Sequence, residues 1–276
     1  MGIQGVWEIS GGSLARGDRF RKIMTLLFAK GFATVDELVE TLDVSRMTVH
    51  RDLDELASRG VLTKVRGGAT VARTAKFESS WDYRLNQQLA LKQVIARQAL
   101  ELVEPGDSLI IDPSTTGLIF ARMLGEKTPL TVVTASLAII IELSDNQAIE
   151  LHGVGGVFDP HFNCFLGPDA VAAASGFRVD KLFMSTAAVS GHTICHSQTR
   201  AISLDRALFE VANTRILMFD SSKLCHSALH VFGEVSDWDI IITDSLAEPA
   251  ALEELKSLAA NLIVADASEA VSLRTG

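Results

Sequence analysis

The sequence predicts an α/β protein in two parts: a small N-terminal helical unit closed by a hairpin, then a larger domain with a mainly parallel sheet. Three observations carry this. Three short blocks of helix-period apolar residues, each with its own start or stop signal, precede residue 60. Two strand-like runs around a Gly-Gly turn follow them. From residue 108 onward, short Ile/Leu/Val runs alternate with helical stretches, the pattern of strands buried on both faces and covered by helices.

The first helix carries Phe20, Ile23, Met24, Leu26 and Leu27, and Gly31 suits the position past its end. Thr34, with Glu37 three residues on, has the spacing of a capping box for a helix bearing Val35, Leu38, Val39 and Leu42. Ser45 reads as the N-cap of a third helix, on which Val49, Leu53 and Leu56 form one apolar face that ends at Gly60. The runs VLTKV and ATVAR, joined by Arg66-Gly67-Gly68, then make a wing.

Together these elements form a winged helix-turn-helix over 19–73, after a flexible tail over 1–18. In that plan the third helix lies in the major groove of double-stranded DNA. The expected DNA-binding set is Ser45, Arg46, Met47, Thr48, His50 and Arg51 on that helix, with Lys64, Arg66, Gly67 and Gly68 on the wing. Arg51 and Lys64 suit phosphate contacts, and Arg66 suits a minor groove. A bare three-helix interaction module is the alternative; the placement of the basic residues favours DNA.

Charge supports the division. The chain carries −9 overall, yet residues 19–76 hold eleven Lys/Arg against seven Asp/Glu, and 77–276 hold thirteen against twenty-five. A basic end on an acidic body binds DNA at one place and repels it elsewhere.

Residues 74–83 show no period and read as a linker, followed by a helix from about Arg84 to Val103 that opens a domain over 84–276. The expected strands are 108–112, 130–134, 149–153, 181–185, 215–219, 239–243 and 261–265. Ligands of parallel sheets bind beyond the carboxyl ends of the strands, which here carry Asp112, Thr134, Gly155, Gly156, Asp220 and Asp244. Ser114, Thr115 and Thr116 follow a strand and open a helix, so hydroxyls and free N–H groups converge as in a phosphate cradle. A simple helix cap is the plainer reading of Ser114. Lys223 offers a cation for the same anion. Gly117 and Ser136 complete the expected effector-binding set.

The stretches Ser45 to Leu53, Gly60-Val61-Leu62 and Val65 to Ala69 resemble the DeoR family of bacterial sugar-metabolism regulators. So do Asp112 to Thr116, Thr131 to Thr134, Gly155-Gly156, Asp220 to Lys223 and Ile242-Thr243-Asp244. The resemblance covers roughly residues 19–266. It implies a repressor, less often an activator, whose sensor has a ribose-5-phosphate isomerase-like fold. It also implies a phosphorylated sugar or derivative as effector, operator DNA as partner, and a homo-oligomer, dimer or tetramer. Some positions depart from the family pattern. His50 stands where a basic residue is usual, Ser114 for Gly, and Ala135 for Asn; Ala201 and Asp205 replace Glu and Lys, and Cys225 replaces Gly.

The longest strongly apolar run, Leu137 to Ile141, is too short to span a bilayer, and the N-terminus lacks the pattern of a secretory signal, so the expectation is a cytoplasmic protein with no membrane partner. No catalytic residue, cofactor or metal is expected. Two rival readings stay open. One is an isomerase-like enzyme using Asp112, Asp220 and Lys223. The other is a metal- or thiol-responsive regulator using His161/Cys164, His192/Cys195/His196 and Cys225/His226/His230.

Overall fold

The computed structural model describes residues 16–58, 62–71 and 81–268, in two compact units that divide between Asn86 and Gln87. In the first unit, helices α1 (Arg16–Lys30), α2 (Val35–Leu42) and α3 (Arg46–Ser58) pack with a three-stranded antiparallel sheet, and α4 (Trp81–Asn86) closes the unit. The sheet comprises β1 (Phe32–Thr34), β2 (Leu62–Val65) and β3 (Gly68–Val71), in the order β1-β3-β2. The caps fall where the sequence places them: Thr34 Oγ1 accepts from Glu37 N at 3.1 Å, and Ser45 Oγ accepts from Thr48 N at 3.2 Å. Ile23, Leu27, Leu38, Val49 and Leu53 are fully buried together. Each contributes about 1.5–3 kcal/mol relative to exposure.

A buried ion pair also joins α1 to α3. Arg19 Nε donates to Asp52 Oδ2 at 2.7 Å and Nη2 to Oδ1 at 3.0 Å, and the carboxylate raises the Arg19 pKa further. Strand β1 is not anticipated by the sequence, because three residues are too few to show alternation. It is required by Gly68: a Cβ there would lie 2.2 Å from the Ala33 carbonyl oxygen, so only glycine lets β3 approach β1.

In the second unit, all seven expected strands form one parallel sheet: β4 (Ser108–Ile111), β5 (Leu130–Thr134), β6 (Ile149–Gly153), β9 (Val179–Met184), β12 (Ala212–Met218), β14 (Ile240–Asp244) and β15 (Leu262–Ala265). Their order is β15-β14-β12-β9-β4-β5-β6. Leu109, Ile110 and Ile111 are successive residues that face opposite sides, and all are fully buried, so β4 is covered on both faces. Helices α5 (Leu89–Leu100), α6 (Thr115–Ala121), α7 (Leu137–Leu143), α8 (Pro168–Ser175), α9 (Thr199–Glu210) and α10 (Pro249–Leu258) supply the cover.

Two antiparallel additions escape the sequence pattern: a hairpin of β7 (Val157–Asp159) and β8 (Cys164–Leu166), and a sheet of β10 (Ala188–Ser190), β11 (Thr193–His196) and β13 (His230–Glu234). All but β13 are three or four residues long.

Other expectations are corrected. The helix expected as one from Arg84 to Val103 is two, because Gln88 adopts a left-handed conformation (φ 51°) between α4 and α5. The last residues of the expected linker, 81–83, are helical; most of it lies outside the described residues. Of the expected tail, residues 16–18 open α1 and the rest lies outside the described residues.

Chain order reverses at the centre of the sheet. From β4 the chain proceeds through β5 and β6 to one edge; β9, β12, β14 and β15 then build the other side. The switch point lies between β4 and β9, where a parallel sheet leaves a crevice beyond its carboxyl ends. No helix among the described residues is long and apolar enough to cross a membrane.

Candidate functional site

On α3, the residues that pack inward are Val49, Leu53 and Leu56, which turns Arg46, Met47, His50 and Arg51 outward as two pairs four residues apart. Met47 is 80% exposed, unusual for an apolar side chain in a small unit with its own core. Ser45 and Thr48 share a hydroxyl hydrogen bond of 2.9 Å at the helix start. Arg46 is paired with Asp36, and Lys64 with Asp54, in exposed ion pairs. Such pairs are worth about 0–1 kcal/mol, so a phosphate can replace either carboxylate cheaply. Arg66 is exposed at the wing turn, where Gly67 supplies a φ of 81°. Gly68 is buried against β1.

At the other candidate site, the strand ends gather the expected residues along one edge of the sheet. Asp112 spans the switch point: its Oδ1 accepts from Ser114 Oγ at 2.6 Å and its Oδ2 from Ser185 N at 3.0 Å. Ser114 caps α6, accepting from Gly117 N at 2.8 Å, as the plainer reading of that residue has it. Thr115 and Thr116 are buried beneath the same turn. Thr134 Oγ1 donates to Ile111 O at 2.8 Å and accepts from Ser136 N, while Ser136 caps α7. Asp220 accepts from Ser222 N at 3.1 Å and so shapes the turn that carries Lys223. Lys223 is half-buried and follows β12, two strands from β4, or about 10 Å across the sheet by ordinary strand spacing. Gly155 and Gly156 are exposed beyond β6. Most of these side chains therefore position backbone, and the groups left to meet a ligand are N–H groups and Lys223.

A small cavity of about 10 Å³, room for about one water, lies beside the switch point. Ser185, Thr186, His196, Asp205, Phe232 and Trp238 line it, and through Ser185 N it adjoins Asp112. Burial pushes the Asp205 carboxyl well above the usual carboxylate range, and the nearby Asp112 adds to the effect. Sequence reasoning places no effector contact at these six positions. The available signal was Asp205, an acid where the resembled family has a base.

The cysteine and histidine clusters meet in part, His196 and His230 being cross-strand partners on β11 and β13. Cys164 and Cys195 are buried and Cys225 is exposed, and no group of three His, Cys, Asp or Glu able to hold a metal occurs among the described residues.

Comparison with known proteins matches residues 19–75 to the DeoR-like helix-turn-helix domain and residues 87–245 to the DeoR C terminal sensor domain. The chain belongs to the DeoR family. It is a DNA-binding transcriptional regulator and not an enzyme. Among DeoR relatives, the transcriptional repressor AccR of Agrobacterium fabrum is 32% identical over 83% of this chain and 89% of its own length. The lactose phosphotransferase system repressor of Streptococcus mutans is 32% identical over 84% of this chain and 93% of its own. Among solved structures, a D-ribose-5-phosphate isomerase in complex with phospho-erythronic acid aligns with a TM-score of 0.37 at 16% identity, over 48% of this chain and 52% of that one.

Proposed function

We propose that this DeoR-family regulator represses a carbohydrate catabolic operon and leaves its operator when a phosphorylated sugar or related metabolite binds at the strand ends of the second unit. The observation that supports the DNA-facing assignment is the outward row Arg46, Met47, His50 and Arg51 on a helix whose opposite face is fully buried. Arg51, Lys64 and Arg66 would take phosphates, and Met47 would meet a thymine methyl. The N–H groups of Thr115 and Thr116 and the cation of Lys223 would hold the effector's phosphate. Working as a homo-oligomer, the protein would set two α3 helices in successive major grooves, about 34 Å or a multiple apart. Relatives named as repressors of lactose phosphotransferase and aga operons support the carbohydrate reading.

The test is fluorescence anisotropy of the full chain on DNA upstream of its own gene, repeated with a panel of pentose and hexose phosphates. Specific binding released by one phosphate is expected. Specific binding that no phosphate releases would overturn the effector class, and loss of all specific binding at low salt would overturn the operator site.

A further inference from the structure

The cations of the DNA-facing set divide into two kinds. Arg51 and Arg66 are exposed and enter no ion pair among the described residues. Arg46 and Lys64 are each held by a carboxylate of the same unit: Arg46 Nη2 donates to Asp36 Oδ1, and Lys64 Nζ donates to Asp54 Oδ1 at 2.5 Å. The Asp36 and Asp54 side chains are 76% and 65% exposed, and neither belongs to the core of the unit, so packing does not call for them. Asp54 follows Met47 by seven residues, His50 by four and Arg51 by three, which sets it on the outward row of α3. Asp36 stands in the first turn of α2 and reaches Arg46, the first residue of α3. It also suits the positive end of the α2 dipole; Asp54, well inside α3, has no such role. Two acids thus sit on a surface that meets a polyanion, each on a cation that the polyanion needs.

We infer that Asp36 and Asp54 are internal competitors for two DNA phosphates: in the free protein they occupy Arg46 and Lys64, and DNA must displace them to bind. The protein therefore holds down its own affinity for DNA of any sequence. This rests on the assignment of Arg46 and Lys64 to the DNA contacts above. Carboxylate and phosphate oxygens both accept from guanidinium and ammonium N–H groups, so one replaces the other on the same cation. The exchange is opposed, because the displaced carboxylate keeps its charge beside the incoming phosphate and like charges repel. Both pairs are exposed, so each restrains binding by a small factor and does not block it. Phosphates are common to every sequence, so the restraint leaves the preference for the operator unchanged while loosening the grip on all DNA. A grip held below its maximum lowers the differential affinity an effector must supply to clear the operator.

The experiment is fluorescence anisotropy of the full chain on DNA upstream of its own gene and on unrelated DNA of equal length, at about 0.15 M salt, where distant charges are screened. Asp36→Asn and Asp54→Asn are measured alone, together, and on Arg46→Ala and Lys64→Ala backgrounds. Thermal melts verify folding, and Asp→Ser replaces any Asn variant that melts early. Each single variant should tighten binding to both DNAs by about two- to fivefold, and the pair by about five- to twentyfold. The gain from Asp36→Asn should vanish on Arg46→Ala, and that from Asp54→Asn on Lys64→Ala, since each carboxylate acts through its own cation. A gain that survives loss of the partner cation is a general charge effect and overturns the inference. So does a gain confined to the upstream DNA, or unchanged binding in folded variants. If Arg46→Ala and Lys64→Ala weaken binding while the Asp variants do nothing, the inference alone falls. If both cation variants bind as wild type does, the assignment of those cations to DNA falls with it.

Discussion

Replacing Arg19 by Met removes the guanidinium that holds Asp52 from two directions and leaves a carboxylate, 2% exposed, facing a methionine. Breaking one side of a buried ion pair costs about 3–5 kcal/mol when the remaining charge stays dry. The pair lies near the surface of a small unit, with Arg19 itself 9% exposed, so water reaches the orphan more easily and the cost falls to about 2–3 kcal/mol. For a unit of this size each kcal/mol lowers the midpoint by about 4–8 °C, giving a drop of roughly 10–20 °C. Calorimetry of the full chain, with hydrogen exchange of the α1 and α3 amides, reads this separately from the second unit. The double variant Arg19→Met with Asp52→Leu should recover most of the loss, because a packed apolar pair often equals a buried ionic one. A drop below about 4 °C, or a double variant as unstable as the single one, would refute the argument that the unpaired charge is what destabilises.

Other consequences are equally concrete. Arg51→Ala should weaken binding to specific and unrelated DNA alike and reduce the slope of log K against log salt by about 0.9; an unchanged slope removes Arg51 from the phosphate contacts. Gly68→Ala puts a Cβ 2.2 Å from Ala33 O, so β1 and β3 must part at a cost of about 1–3 kcal/mol. A wild-type melting profile would contradict that register. Thr115→Ala with Lys223→Ala should keep operator affinity within about twofold while abolishing release by sugar phosphate. Normal release would move the phosphate elsewhere. Asp205 has a raised folded-state pKa, so the stability it contributes is complete below the ordinary carboxylate pKa and is lost as pH rises through the raised value. With Asp112 and His196 as the titratable groups facing it, wild type should lose midpoint relative to Asp205→Asn as pH rises above the ordinary carboxylate range. Parallel curves would contradict a buried, unpaired carboxyl.

What the sequence exposes and what it conceals divide along a physical line. The seven strands of the parallel sheet are legible because each is buried on both faces and therefore written as an uninterrupted apolar run, as in Ser108–Ile111 and Ile240–Asp244. The caps Thr34 and Ser45 are legible because they act within three residues. The short antiparallel strands β1, β7, β8, β10 and β11 are not, since three or four residues with mixed exposure carry no period. Nor is the break at Gln88, where a glutamine takes a left-handed conformation that sequence assigns to glycine or asparagine. The strand-end turns could be located from order alone, because every parallel strand must deliver its carboxyl end to the same edge. The pocket could not, because its walls come from β9, β11, α9 and β13, and bringing His196 to within 3.8 Å of Asp205 depends on a β11–β13 pairing that has no sequence signature. A substitution such as Asp205 is thus visible in sequence only as an oddity. It becomes chemistry once the fold shows that carboxyl buried beside Asp112, with His196 Nε2 3.8 Å away.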